Sequence, residues 1–128
     1  MSSEAASSKR RADNGPMPTV TVVTPTYQHS QFIVACSRSV QAQTFEDWHL
    51  IVVDDGSTDG TPDVAESFAD PRITVLRRTH EGLSGLGRAY AAALALSIAP
   101  LVAVLEGDDT WPPAKLAEQI PLFDDAGV

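Results

Sequence analysis

The sequence predicts an α/β domain with a mostly parallel, doubly wound sheet, and three observations carry that prediction. Short runs rich in Val and Ile recur at 19–24, 49–53, 73–76 and 101–105. Continuous apolar runs of this length suit strands covered on both faces. Stretches with helical spacing separate them, and a strict strand–helix alternation implies right-handed crossovers between parallel strands.

Each element has its own signal. The first strand runs into Thr24-Pro25-Thr26-Tyr27, and Ile33, Cys36 and Val40 then form an apolar helical stripe. The second strand begins at Trp48, which reads as core, and ends in Asp54-Asp55-Gly56-Ser57-Thr58-Asp59-Gly60. Thr61-Pro62 is a good helix start, a cap residue followed by proline at the first helical position. After the third strand, Leu83, Leu86, Tyr90, Leu94 and Ile98 form a clearer stripe, expected to face the core. The fourth strand ends in Glu106-Gly107-Asp108-Asp109, and Pro112-Pro113 opens a last helix through Leu116 and Ile120. Pro121 is expected to break or kink that helix.

The 128 residues bound the chain to one domain, with net charge -8, 43% hydrophobic and 20% charged residues. Residues 1–18, with the Lys9-Arg10-Arg11 cluster, read as a disordered leader, leaving 19–128 as the folded part. No apolar core follows the basic cluster, so it is not a secretory signal. The single cysteine, Cys36, excludes an internal disulfide and points to a reducing compartment; on its apolar stripe it reads as buried and inert. The acidic balance argues against nucleic acid as a partner, since that needs a basic surface.

In open α/β sheets the ligand sits beyond the carboxyl ends of the strands, and two acidic clusters converge there. Asp59 reads as turn and cap chemistry because a helix begins beside it. For Asp54 and Asp55 the turn reading and a ligand-binding reading stand level: one such residue suffices for a turn, and two ionised neighbours repel. Glu106, Asp108 and Asp109 lie within four residues and would repel strongly without a cation. Mg2+ typically takes one or two carboxylates plus phosphate oxygens, so the metal reading leads there. Gly107 would let a diphosphate or ribose approach the backbone.

The remaining signals are weaker. The glycines of 82–87 match neither a Walker loop nor a dinucleotide fingerprint, and read as flexible helix entry. Arg88 could meet a phosphate or pair with Glu81. His29, His49 and His80 are scattered and carry no metal reading. Trp111 could stack on a sugar or pack against the helix start.

Together, Val22-Val23-Thr24-Pro25-Thr26-Tyr27, Gln41-Ala42-Gln43-Thr44-Phe45, the block from Ile51 to Thr61, and Leu105-Glu106-Gly107-Asp108-Asp109-Thr110-Trp111-Pro112 resemble family-2 glycosyltransferases of GT-A fold. The order and spacing of all four blocks agree over most of 19–123. The resemblance implies a GT-A, Rossmann-like sheet, incomplete at its C-terminus, that binds a nucleoside-diphosphate sugar. Pro25, Thr26 and Tyr27 would flank the base, Asp54 and Asp55 would bind base or ribose, and Asp108 would lie by ribose and metal. Asp108 and Asp109 would hold Mg2+ or Mn2+. Transfer would go to a glycan, lipid or small-molecule acceptor hydroxyl with inversion. The location implied is cytoplasmic, or peripheral at the inner membrane face.

Two departures stand out: Glu106 replaces the first acid of the DxD pattern, and Arg88 falls one position later than the family's arginine, a rotation of about 100° on a helix. None of the carboxylates present sits where the family's base would be. The expectation is therefore a nucleotide-sugar-binding portion that lacks the base, with a missing C-terminal half or self-association as its partner. A receiver-like signalling domain wants acids after the first and third strands and a lysine after a late one. Here the pairs follow the second and fourth, and Lys115 lies inside an expected helix.

Overall fold

The computed structural model describes residues 18–125. The expected leader, apart from Pro18, lies outside them. Four parallel strands, β1 (Val20–Thr26), β2 (Trp48–Asp55), β3 (Ile73–Arg78) and β4 (Leu101–Val104), stand in the order β3-β2-β1-β4. They alternate with helices α1 (Ile33–Gln41), α2 (Thr61–Glu66), α3 (Leu86–Leu96, entered through a 3-10 turn at Gly82–Gly85) and α4 (Lys115–Asp125). The predicted class and element order hold; the strands β1, β2 and β3 simply run further toward their carboxyl ends than the apolar runs.

That extension places Pro25 inside a strand with neighbours on both sides, where the missing N–H normally disqualifies proline. The register explains it. Val23 and Pro25 present their backbone groups toward β4, and β4 ends at Val104. Beyond it the Leu105 N–H donates to the Val23 carbonyl and the Gly107 N–H to the Pro25 carbonyl, so Pro25 lies past the last β4 pair and still uses its carbonyl there.

The two faces are covered unequally. On one, Val20, Val22, Leu50 and Val52 pack with Ile33, Cys36 and Val40 of α1, Ala65 of α2 and Leu116 of α4, with Trp48 buried among them. On the other, Val23, Ile51 and Val53 meet α3 alone. Here the structure corrects the expected stripe. Ala89 and Ala93, one turn apart, are the buried residues of α3, whereas Leu83, Leu94 and Ile98 are exposed. Two alanines let the helix axis lie close to the sheet, which turns the leucine stripe aside; periodicity alone cannot tell a small-residue seam from a large one.

Pro121 does not end α4, which continues to Asp125. The carbonyl it deprives of a donor belongs to Ala117, on the exposed side of the helix, where water can satisfy it.

Side chains at the strand ends tie the loops together. Gln28 exchanges two hydrogen bonds with Thr58, at 2.7 and 3.0 Å, and its backbone N–H donates to the Ser57 hydroxyl. Asp59 accepts from the Thr61 hydroxyl, from the Ser30 N–H and from the Thr61 N–H. The Thr61 hydroxyl bond above all, with these N–H groups, holds its carboxyl well below the usual carboxylate range. Asp59 thus serves the turn before α2, as read, but the cap position itself is taken by Gly60. Across the sheet, the buried Gln43 side chain donates to the Pro112 carbonyl at 2.7 Å and accepts the Leu116 N–H at 3.0 Å, fastening the start of α4 to the end of α1.

Two outcomes follow from these ties. Gln43→Ala strands a buried N–H and a carbonyl and should cost about 1–3 kcal/mol in urea unfolding. Because the Asp59 pKa is depressed on folding, its stabilisation is full above the unfolded value near 4 and fades as pH falls through the lower folded value. Unfolding midpoints should therefore drop below about pH 4, and Asp59→Asn should flatten that part of the profile.

Candidate functional site

A cavity of about 380 Å3 opens at the carboxyl ends of β1 and β2, beneath the 3-10 turn and α3. Its volume falls within the range of about 300–1,000 Å3 typical of small-molecule sites. Pro25, Thr26 and Tyr27 line it from β1, Val53 and Asp55 from β2, and His80, Gly82, Leu83, Leu86 and Ala89 from the connection into α3. Glu106 closes it from the end of β4.

The strand pleat sends the two acids of β2 in opposite directions. Asp54 is buried, and its two oxygens accept the Ser57 hydroxyl at 2.6 Å and the Ser57 N–H at 2.8 Å. It does not line the cavity; its place is the turn. Asp55 does line it. One Asp55 oxygen accepts the Glu81 N–H at 2.9 Å, and the other accepts the Gly82 N–H at 3.0 Å and the His80 ring at 2.8 Å. Burial pushes the Asp55 carboxyl up, but these donors and the His80 ring outweigh it and hold the carboxyl below its ordinary value. An ionised carboxylate only accepts, so the His80 Nδ1 carries the proton of that bond.

His80 is the site residue that sequence reasoning missed. Its ring stacks on Tyr27, with centroids 4.3 Å apart and planes 20° from parallel. Gly56 fixes its position: with φ at +73°, a Cβ there would stand 2.6 Å from the His80 backbone nitrogen. The available signal was the following Glu81-Gly82, whose amides complete the cradle around Asp55; no local rule joins that stretch to Tyr27, more than fifty residues earlier.

Asp108 and Asp109 lie on the turn after β4, where the Asp109 N–H donates to the Glu106 carbonyl at 2.9 Å. Both are exposed, and among the described residues neither carboxylate has a hydrogen bond or ion pair. Neither lines the cavity. Gly107 is buried, and a Cβ on it would meet Thr26 Oγ1 at 2.5 Å and His29 Nδ1 at 2.8 Å. The acidic turn is thus seated on the end of β1, a packing reason for this glycine that the sequence did not suggest. Among the described residues no three His, Cys, Asp or Glu side chains converge as a ready-made metal cage. A pair of free carboxylates instead suits a hard cation that brings phosphate oxygens and waters as its other ligands.

Arg88 takes the alternative of its two readings. Its Nε lies 3.2 Å from Glu81 Oε1, its side chain is largely exposed, and it is absent from the cavity wall. Trp111 packs against the core, with Lys115 over its ring. Cys36 is fully buried and donates to the Glu106 carbonyl at 3.6 Å. Burial, with the charges of Asp109 and Asp108, pushes its thiol up to about 12, so it is inert as read.

The profile of the family described as "Glycosyl transferase family 2" matches residues 21–128. The putative teichuronic acid biosynthesis glycosyltransferase TuaG of Bacillus subtilis is 38% identical over 105 residues, covering 80% of this chain and 41% of that protein. The beta-1,3-glucosyltransferase WfgD of Escherichia coli, named for transfer from UDP-Glc to alpha-D-GlcNAc-diphosphoundecaprenol, is 36% identical over 104 residues, covering 81% and 40%. Among solved structures, residues 1–349 of TarS from S. aureus with UDP-GlcNAc superpose with a TM-score of 0.76 at 26% identity, covering 84% of this chain and 31% of that one. The chain thus spans about two fifths or less of the length of these relatives. The fold is GT-A-like, and the chain belongs to glycosyl transferase family 2.

Proposed function

We propose that this chain is the donor-binding part of a glycosyltransferase, which holds a nucleoside-diphosphate sugar together with Mg2+ or Mn2+. The observation that carries the reading is one cavity at the strand ends, walled by Tyr27, His80 and Asp55, with two unpaired carboxylates at the adjoining turn. The base would lie in the cavity, flanked by Pro25, Thr26 and Tyr27, with Leu83 at the rim. Asp55, which already accepts three donors, would act by fixing His80 and the 3-10 turn, and Asp54 by holding the turn that presents them. The diphosphate would extend toward β4, where Asp108 sits by the ribose and Asp108 and Asp109 hold the cation. The bound cation would offset charge building on the departing nucleoside diphosphate.

The parent reaction would transfer the sugar to an acceptor hydroxyl with inversion, on a glycan, lipid or small molecule. WfgD is named for a lipid-linked acceptor, which supports a cytoplasmic position at the inner membrane face. No helix among the described residues is long and apolar enough to cross a membrane.

The second reading is nucleotide binding without turnover. It is favoured by the acids of the β2 end: Asp54, Asp55 and Asp59 all accept backbone, hydroxyl or imidazole donors, so none of these three is free to take a proton from an acceptor. That leaves Glu106 as the cavity-wall carboxylate without such donors among the described residues. Calorimetry with UDP, UDP-sugars and GDP-mannose, with and without Mn2+, beside a product assay, separates the two. Binding with transfer supports the first and binding without it the second. Absence of binding in every condition sinks both.

Asp109→Ala should weaken Mn2+-dependent donor binding by at least about ten-fold. An exposed side chain without partners should shift unfolding by no more than about 0.5 kcal/mol when removed. Equal Mn2+-dependent affinity in the variant would refute the assignment.

A further inference from the structure

We propose that His80 determines which base the site accepts: its Nε2 acts as a hydrogen-bond acceptor and selects a nucleobase that presents a ring imide N–H, as uracil does. This rests on the donor-binding reading above and extends it to a residue that the motifs do not single out.

Four observations carry it. His80 lines the cavity. Its ring is held parallel to Tyr27 at 4.3 Å, which fixes the plane in which its nitrogens lie. Its Nδ1 is spent on Asp55, where it lies 2.8 Å from the carboxylate and 3.1 Å from the backbone carbonyl. Both of those groups only accept, so Nδ1 is the protonated nitrogen, and in the neutral ring Nε2 is left as an acceptor. Among the described residues Nε2 has no hydrogen-bond partner.

The ring is also pinned from behind. The turn at Gly56 approaches the His80 backbone so closely that even a Cβ would not fit, and the Asp55 oxygens hold the two amides that follow. A polar atom whose orientation is paid for in this way discriminates better than a mobile one, because it cannot turn to suit a wrong partner. Uracil offers N3–H to such an acceptor. Cytosine, of equal size and stacking surface, presents a bare N3 lone pair there, which the Nε2 lone pair repels. Tyr27 and the apolar wall would serve both bases alike, so preference between them falls to the imidazole.

The test uses the full chain with Mn2+ at pH 8.5 and compares UDP with CDP by calorimetry. The wild-type chain should bind UDP about ten-fold more tightly than CDP. Two variants remove Nε2 by different routes. His80→Phe keeps a ring against Tyr27, and His80→Asn keeps a donor for Asp55. Each should bring the two affinities to within about two-fold of each other, whatever happens to overall affinity, with folding checked by thermal melting. Wild-type chain that binds both equally overturns the proposal even if neither variant folds. A folded variant that loses affinity for both but keeps the ratio also overturns it, since His80 would then only shape the wall. Wild-type chain that binds neither nucleotide overturns this assignment, and the donor-site reading falls with it only if GDP-mannose is not bound either.

Discussion

Two ionised carboxylates in succession at the end of a buried strand can coexist only if each is given its own set of donors, and the site is built around that constraint. The pleat of β2 separates Asp54 from Asp55. The first turns inward and is satisfied entirely by Ser57, which shapes the turn that leads to α2. The second turns toward α3 and gathers the amides of Glu81 and Gly82 and the imidazole of His80. The connection from β3 to α3 is thereby drawn over the end of the sheet, and the His80 ring is delivered onto Tyr27. Remove the charge on Asp55 and the roof of the cavity loses its common anchor. A single turn-forming acid could not do both jobs.

Much of this architecture was legible in the sequence because it depends on local patterns. Apolar runs marked all four strands, and the Thr61-Pro62 start marked α2. Pro25, Thr26, Tyr27 and Asp55 were placed at the strand ends and do line the cavity. What was hidden depends on contacts between distant segments. Whether Asp54 or Asp55 faces the ligand is decided by strand parity, and parity becomes meaningful only when it is known which face carries which helix. His80 gains its role from Tyr27 and Asp55, and neither partner lies within a helix turn or hairpin of it. Arg88 shows the reverse: a residue of suggestive type and location whose guanidinium pairs with its neighbour Glu81. The face of α3 turns on its small residues: Leu86, Tyr90 and Leu94 form the more apolar stripe, whereas close packing against the sheet rewards Ala89 and Ala93.

The uneven cover of the sheet sets a second constraint. α3 shields β1 and β2 through Ala89 and Ala93, while Val102 and Val104 of β4 are about half exposed and Leu94, Leu96 and Ile98 are exposed as well. The free energy of the sheet therefore comes mainly from the opposite face, where α1, α2 and α4 bury Ile33, Cys36, Val40 and Leu116 against it.

The two halves of the proposed donor site consequently rest on different supports. Tyr27 directly follows β1 and Asp55 ends β2, strands paired on both sides and buried on both faces. Asp108 and Asp109 follow β4, which among the described residues is an edge strand of four residues with one neighbour and one uncovered face. Such a strand alone would position a turn poorly. Three contacts make up the difference. The Gly107 backbone sits against Thr26 and His29, its N–H reaches the Pro25 carbonyl, and Gln43 grips Pro112 and Leu116 just beyond the acids. The Gln43 block and the strand-end proline thus act on the acidic turn, and these two motifs of the sequence find their physical reason there. The backbone that carries Asp108 and Asp109 is fixed by partners on the well-covered face, while the carboxylates themselves stay exposed and, among the described residues, unpaired.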